Sequence, residues 1–295
     1  MTSAPRAIGV DVGGTAVKAG VVDAGGTLTE RRDLPTPREP DALVAAVATL
    51  VRDLRRAAGA DLPVGVAVPG IVDDDAGTVA LSANLGWRDV PVRDLLAAAL
   101  AEPVAVGHDV RAGALAESRW GAGADAMLFV PIGTGIAAAL VLDGRPWGTG
   151  FAGEIGHVLV TDPDGGPDLP LERVASAAAL ARRCAAGGEV TDGAREVFRR
   201  LADRDPRART VVADALDRLA DVLAGAVCLL GPVRIVIGGG LAGAGEDLLG
   251  PLRERLAERL VLGNVPEVVP AALGPWAGCM GAAALALPHP DGGVQ

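Results

Sequence analysis

The stretch Asp11-Val12-Gly13-Gly14-Thr15, directly behind the apolar run Ala7-Ile8-Gly9-Val10, constrains this chain more than any other. An apolar strand ending in an aspartate and two glycines predicts a tight turn with no side chains in the way. Backbone N–H groups in such a turn can close around a phosphate, and Thr15 adds a hydroxyl donor. Asp11 sits where a carboxylate can hold Mg²⁺, directly or through water, beside those phosphates. Residues 17–22 predict a returning strand, and Asp23-Ala24-Gly25-Gly26 a hairpin turn into residues 27–31. The same residues also fit a plain glycine hairpin at a sheet edge.

With 295 residues the chain is long enough for one large domain or two lobes. Its net charge of −10 argues against nucleic acid, whose phosphates demand a basic surface. An acidic chain that binds ATP must gather its few donors locally. No apolar run approaches the roughly 20 residues of a membrane span. Residues 1–6 lead straight into the first strand, so no signal peptide is expected. Cys184, Cys228 and Cys279 are scattered, without a C-x-x-C pair, which suggests reduced thiols and a cytoplasmic setting.

Strands alternate with helices along the chain. Asp41 is expected to cap an amphipathic helix over 41–58, followed by a strand at 64–68 ending in Pro69-Gly70 and a hairpin around 73–77. A short helix over 91–101 and a buried strand at 104–106 lead to Gly107-His108-Asp109 and a helix over 111–120. The pattern then restarts: an apolar strand at 126–132 ends in Gly133-Thr134-Gly135, with a return strand at 136–142. Residues 171–230 read mostly as helix, broken near Gly187-Gly188 and around 203–206. A buried strand at 233–237 ends in Gly238-Gly239-Gly240; a helix over 246–260, a strand at 265–269 and a terminal helix after Cys279 follow. Two glycine turns behind β-branched strands form a weak internal repeat, as expected of two similar lobes facing each other across a cleft. Coincidence in a chain with 41 glycines is the competing explanation.

Asp11-x-Gly13-Gly14-Thr15, Pro69-Gly70, Asn84-Leu85-Gly86-Trp87, Gly133-Thr134-Gly135-Ile136, Gly153-Glu154-Ile155-Gly156-His157 and Gly238-Gly239-Gly240 occur in the order seen in ROK-family proteins. From residue 7 to about 287 the chain resembles a bacterial ROK glucokinase. The resemblance implies an α/β, two-lobed actin-like, ribonuclease-H-like sugar kinase fold with a central cleft. It divides the chain into a small N-terminal lobe, 1–107, completed by a C-terminal helix at about 279–290, and a large lobe, 108–278. It also implies a homodimer that transfers the γ-phosphoryl group of ATP to a hexose hydroxyl with Mg²⁺, glucose standing first. An amino-sugar or cyclitol kinase, and a non-catalytic sugar-binding protein, are the alternatives. A ROK repressor is not expected, because no helix-turn-helix segment precedes the first strand.

The resemblance makes Asp109 the catalytic base, accepting the proton of the attacking hydroxyl. From the residues alone, Asp109 serves equally as the N-cap of the helix that follows. Asn84, His108, Asp109, Glu154, His157 and Glu172 match sugar-contacting positions, although His108 stands where the family carries Asn. Surface ion pairing for Glu154, a structural role for His157 and a helix-dipole role for Glu172, at the start of a long helix, are the competing readings. The resemblance places phosphates at Gly13, Gly14, Thr15 and at Gly133, Thr134, Gly135, and adenosine near Gly238, Gly239 and Gly240. Lys18 can be read as a phosphate ligand or as a solvent-facing residue. Most ROK proteins also carry a cysteine-rich zinc loop after the Gly-His motif. Here Asp162-Pro163-Asp164-Gly165-Gly166-Pro167-Asp168 replaces every thiolate, so no zinc site is expected.

Overall fold

The computed structural model describes residues 4–185, 193–261 and 263–288. These group into two compact units, the first built from described residues within 4–121, 141–152 and 275–288, the second from those within 122–140, 153–185, 193–261 and 263–274.

In the first unit, β1 (Arg6–Val12) and β2 (Ala16–Asp23) pair antiparallel across the glycine turn, and β3 (Leu28–Pro35) pairs with β2. Helix α1 (Pro40–Ala58) follows. Its N-cap is Glu39 rather than Asp41, because Pro40 fixes the first helical position; Asp41 lies within the first turn, where its charge meets the helix dipole. Gly59, at φ +62°, closes the helix by donating to the carbonyls of Arg55 and Arg56. β4 (Val64–Val68) pairs parallel with β1, and a small sheet of β5 (Ile71–Asp73), β6 (Thr78–Ser82) and β7 (Trp87–Val90) comes next. After α2 (Val92–Leu100), β8 (Ala105–His108) joins β4 in parallel and runs directly into α3 (Asp109–Trp120). The closing helix, Ala277–Ala286, packs on this sheet through glycines. A Cβ on Gly9 would stand 1.9 Å from the carbonyl oxygen of Cys279, and one on Gly65 would stand 1.8 Å from that of Ala282.

The second unit opens with β9 (Met127–Pro131) and the start of β10 (Ala139–Leu142); the last two residues of β10 and the hairpin strand β11 (Arg145–Trp147) belong to the first unit. The return strand starts at 139, not 136, because Ile136 makes only an isolated bridge to Ile132. A ribbon of β12 (Leu159–Val160) and β13 (Leu169–Pro170) precedes α4 (Leu171–Ala175), α5 (Ala177–Ala185), α6 (Gly193–Ala202) and α7 (Pro206–Leu230). The break expected at Gly187-Gly188 lies outside the described residues. The break near 203–206 is a capped start: the Asp205 carboxylate accepts from the N–H groups of Arg207 and Ala208. β14 (Arg234–Gly238) pairs in parallel with β9 and with β15 (Val268–Pro270), with α8 (Glu246–Arg259) between them in sequence. The main sheets run β3-β2-β1-β4-β8 and β11-β10-β9-β14-β15. Each is ordered third, second, first, fourth, fifth along its own stretch of chain, so the internal repeat is a repeat of topology.

Candidate active site

In the first unit, Asp11 lies near the end of β1, opposite Lys18 in the β1–β2 register. Asp11 is part-buried, and its carboxyl group lies against the closing helix: a Cβ on Gly278 would come within 2.6 Å of Oδ2. That burial raises its pKa from 3.8 to about 6, and only the positive charge of Lys18 opposes the shift. Lys18 is part-buried, with its ammonium group engaged within the first unit. Its Nζ donates to the Pro275 carbonyl at 2.8 Å and lies 5.8 Å from the centre of the Trp276 ring. The glycine turn is tied down by Thr36, whose Oγ1 donates to the Gly13 carbonyl at 2.6 Å and whose N–H donates to Thr15 at 3.0 Å. Thr15 itself is exposed.

Asn84 stands beside this turn, its Cβ 3.4 Å from where a Cβ on Gly14 would lie. The Asn84-Leu85-Gly86-Trp87 motif is anchored by two buried side chains, Leu85 and Trp87. Trp87 Nε1 donates to the Arg38 carbonyl at 2.8 Å, and Arg38 donates back to the Asn84 carbonyl at 2.5 Å. At the end of β8, His108 is buried and Asp109 begins α3. Asp109 is therefore the first helical residue and His108 holds the N-cap position, which corrects the N-cap reading of Asp109. Its Oδ1 nevertheless accepts from the Val110 N–H at 2.8 Å. His108 Nε2 lies 3.2 Å from the same Oδ1.

In the second unit, the turn at Gly133, Thr134 and Gly135 is fixed by backbone bonds. Gly133 N–H donates to Gly135 at 2.9 Å, and Ala177 N–H to Gly133 at 2.9 Å. Glu172 reaches over this turn, since a Cβ on Gly135 would stand 2.8 Å from its Oε2. The Gly-Glu-Ile-Gly-His segment lies against the strand that follows. Gly153, at φ +95°, would place a Cβ 1.9 Å from the Ala138 carbonyl oxygen, and Gly156 one 2.2 Å from that of Ile136. Glu154 and His157 converge, Oε2 to Nδ1, at 3.4 Å, and His157 is well exposed. Glu172 belongs to a five-residue helix, not a long one, because Ser176 turns the chain and caps α5 by accepting from the Ala179 N–H at 3.1 Å. Among Gly238, Gly239 and Gly240, the first two are demanded by packing against Phe129 and Ile132; only Gly240 faces open space.

The loop at 162–168 is held by a carboxylate. Asp162 Oδ1 accepts from the Asp164 N–H at 2.9 Å and its Oδ2 from the Gly166 N–H at 3.2 Å. Among the described residues no group of three or more His, Cys, Asp and Glu side chains could hold a metal ion, and no helix is long and apolar enough to cross a membrane.

Each sheet thus carries its own glycine turn, and the sequence matches the ROK family over residues 7–289. The chain belongs to the ROK family. It is 33% identical to a glucokinase of Streptomyces coelicolor, over 96% of this chain and 98% of that protein. A kanosamine kinase of Amycolatopsis mediterranei is 35% identical, with 96% of both chains covered. The crystal structure of a ROK glucokinase from Streptomyces griseus, in complex with glucose and AMPPNP, is 30% identical. It superposes with a TM-score of 0.79 over 95% of this chain and 99% of that one. The fold is thus the two-lobed actin-like fold of ROK sugar kinases, and this ROK protein is a phosphotransferase of that type.

Three contributors escaped the sequence reading. Thr36 and Gly278 are remote in sequence from what they support and follow no motif. Arg111 left a signal: it is the one cation in the first two turns of a helix otherwise made of small residues there. Its side chain is buried, with Nε donating to Asp74 Oδ2 at 2.9 Å and Nη2 to the Val72 carbonyl at 3.1 Å.

Proposed function

We propose that this ROK protein is an ATP- and Mg²⁺-dependent hexokinase, with glucose as its first substrate and Asp109 as its proton acceptor. The observation that carries the reading is the seating of Asp109. Its carboxylate is held at a strand-to-helix junction rather than left to rotate, and the chain aligns almost end to end with glucokinases. A carboxylate of ordinary pKa, about 4, cannot deprotonate an alcohol outright. It accepts the proton late, as the bond to phosphorus forms, and meanwhile aligns the oxygen for in-line attack.

Asn84, Glu154, His157 and Glu172 supply further acceptors and donors for an array of sugar hydroxyls. Gly13, Gly14, Thr15, Gly133, Thr134 and Gly135 bring backbone N–H groups to the phosphates, and Gly240 leaves room for the adenosine. Asp11 suits a divalent cation because its buried carboxyl bears an ionisation penalty that a positive ion would relieve. Mg²⁺ held there, directly or through water, would offset charge on the transferring phosphates. The protein would work as a homodimer in the cytoplasm and without zinc.

The kanosamine kinase likeness favours an amino sugar as the second reading. A panel of glucose, other hexoses, amino sugars and cyclitols, assayed by ADP release with Mg-ATP and by sugar-phosphate formation with polyphosphate, tests both. Glucose should give the highest kcat/KM with ATP. A higher value for an amino sugar would move the assignment to that class, and no acceptor-dependent turnover would leave a sugar-binding protein.

A further inference from the structure

We propose that His108 is a positioning residue, whose neutral imidazole holds the Asp109 carboxylate through Nε2–H and makes no contact with the sugar. The proposal rests on the reading of Asp109 as proton acceptor and adds to it what sets that carboxylate's orientation.

The geometry assigns the proton. A carboxylate oxygen can only accept, and at 3.2 Å it would repel a facing lone pair, which favours the proton on Nε2. Nδ1 is then the lone-pair nitrogen, and it is buried without a hydrogen-bond partner among the described residues. A second proton on Nδ1 would create a buried, unpartnered donor and a buried cation together. Three charged groups lie close to His108: Asp109, Arg111 from the same helix, and Asp74 from the turn after β5, which meets its backbone. Burial, with the Arg111 guanidinium, lowers the imidazole pKa to about 3. Arg111 and Asp74 are themselves joined by a fork, at 2.9 and 3.1 Å, and Asp74 Oδ1 also accepts the His108 backbone N–H at 3.2 Å.

The part-buried ion pair therefore fastens the backbone of His108, and the ring in turn faces Oδ1 of Asp109, which the Val110 N–H grips as well. With 5% of the residue exposed, most of the imidazole is turned away from a sugar hydroxyl. On this account a residue aligned with a sugar-contacting position acts one step back, on the base.

Two measurements on the full chain decide it. The first needs no variant to fold well: nitrogen-15 NMR of the three histidines, with the His108 signals identified by their loss in His108→Gln. The neutral, Nε2-protonated pattern should persist from pH 5 to 8. A His108 signal that titrates in that window, or a proton on Nδ1, would overturn the proposal. The second is kinetic, with the sugar turned over fastest in the acceptor panel. His108→Phe keeps the ring and removes both nitrogens, and should lower kcat about 10- to 100-fold with sugar KM within about threefold. His108→Gln, which can still donate, should recover most of that loss. Unchanged kcat in His108→Phe, or a loss confined to KM, defeats positioning. Asp109→Asn separates the two ideas: if it keeps turnover, the base assignment fails, whereas if it is inactive while His108→Phe is normal, only the positioning proposal does.

Discussion

The two five-stranded sheets share one order of strands but end their parallel strands with different chemistry. In the first unit, carboxylates stand at two of the three ends, Asp11 on β1 and Asp109 just beyond β8, with Gly13 and Gly14 behind Asp11 and Gly70 behind β4. In the second, glycines do: Gly133 beyond β9, and Gly238 and Gly239 at β14. A repeated scaffold thus offers equivalent positions, and on the proposed function the residues placed there would divide the work. Carboxylates would handle protons and cations, and bare backbone would let a large anionic ligand approach N–H groups. The glycines are not all alike either. Gly239 is locked at φ +75° against the backbone of Ile132, while Gly133 faces open space.

The sharpest way to break this comparison is to remove one carboxylate's ability to accept a proton. Asp109→Asn keeps the size of the side chain and an acceptor for the Val110 N–H. We expect kcat to fall about 10²–10⁴-fold, with ATP affinity nearly unchanged and a melting temperature close to that of the parent. Steady-state kinetics with a thermal melt on the same sample reads both. Turnover within a few-fold of normal would reduce Asp109 to a residue that merely opens a helix, and the two sheets would no longer differ in chemistry.

The glycine side of the comparison is tested by a pair. An alanine at 239 would need a conformation that only glycine adopts, and its Cβ would stand 2.4 Å from the Ile132 carbonyl oxygen. We expect Gly239→Ala to cost about 3 kcal/mol or more in urea unfolding. Gly133→Ala meets nothing within 4 Å and should cost the fold under about 1 kcal/mol. On the proposed function it should instead raise the KM for ATP about tenfold, by crowding the phosphate turn. Equal stability losses in both variants, with ATP binding untouched, would make both turns purely structural.

Much of this architecture is legible in the residues because its signals are local. Strand-turn-strand patterns ending in glycine gave both hairpins, and the break at 203–206 follows from Asp205-Pro206, a cap and a proline in the right order. What escaped depends on contacts made at a distance. Asp41 looks like a cap until Pro40 is seen to start α1 one residue earlier. Glu172 looks like the head of a long helix because Ser176, which caps α5, carries no mark that separates it from a helical serine. In the site, the motif glycines were legible but not their reasons: Gly153 and Gly156 exist to let their segment lie on Ile136 and Ala138. The burial of His108 follows from packing around Arg111 and Asp74, 37 residues apart in sequence, and no spacing rule reports it.

The smallest expected effect concerns how the first unit carries its charge. The carboxyl of Asp11 has a folded pKa of about 6 against an ordinary value of 3.8. Between those values the folded chain holds a proton that the unfolded chain has lost, so this contribution to stability is complete below about pH 4 and is lost as pH rises through 6. His108 works in the opposite sense. Its folded pKa is about 3 against 6.5, so its contribution is complete above about pH 6.5 and is lost as pH falls toward 3. The parent protein should therefore show little net slope from these two groups across pH 4 to 6. Asp11→Asn should be more stable than the parent by about 1–2 kcal/mol at pH 7, with the gap closing by pH 4. His108→Gln should instead lose stability over the same range as pH rises. Urea unfolding at four pH values measures both slopes. Mg-ATP should narrow the advantage of Asp11→Asn at pH 7, because a ligand that binds the charged carboxyl stabilises the parent alone. If Asp11→Asn and the parent have equal stability at pH 7 without ligand, the carboxyl is not held at a cost, and the case for Asp11 as a cation-bearing strand end loses its physical basis.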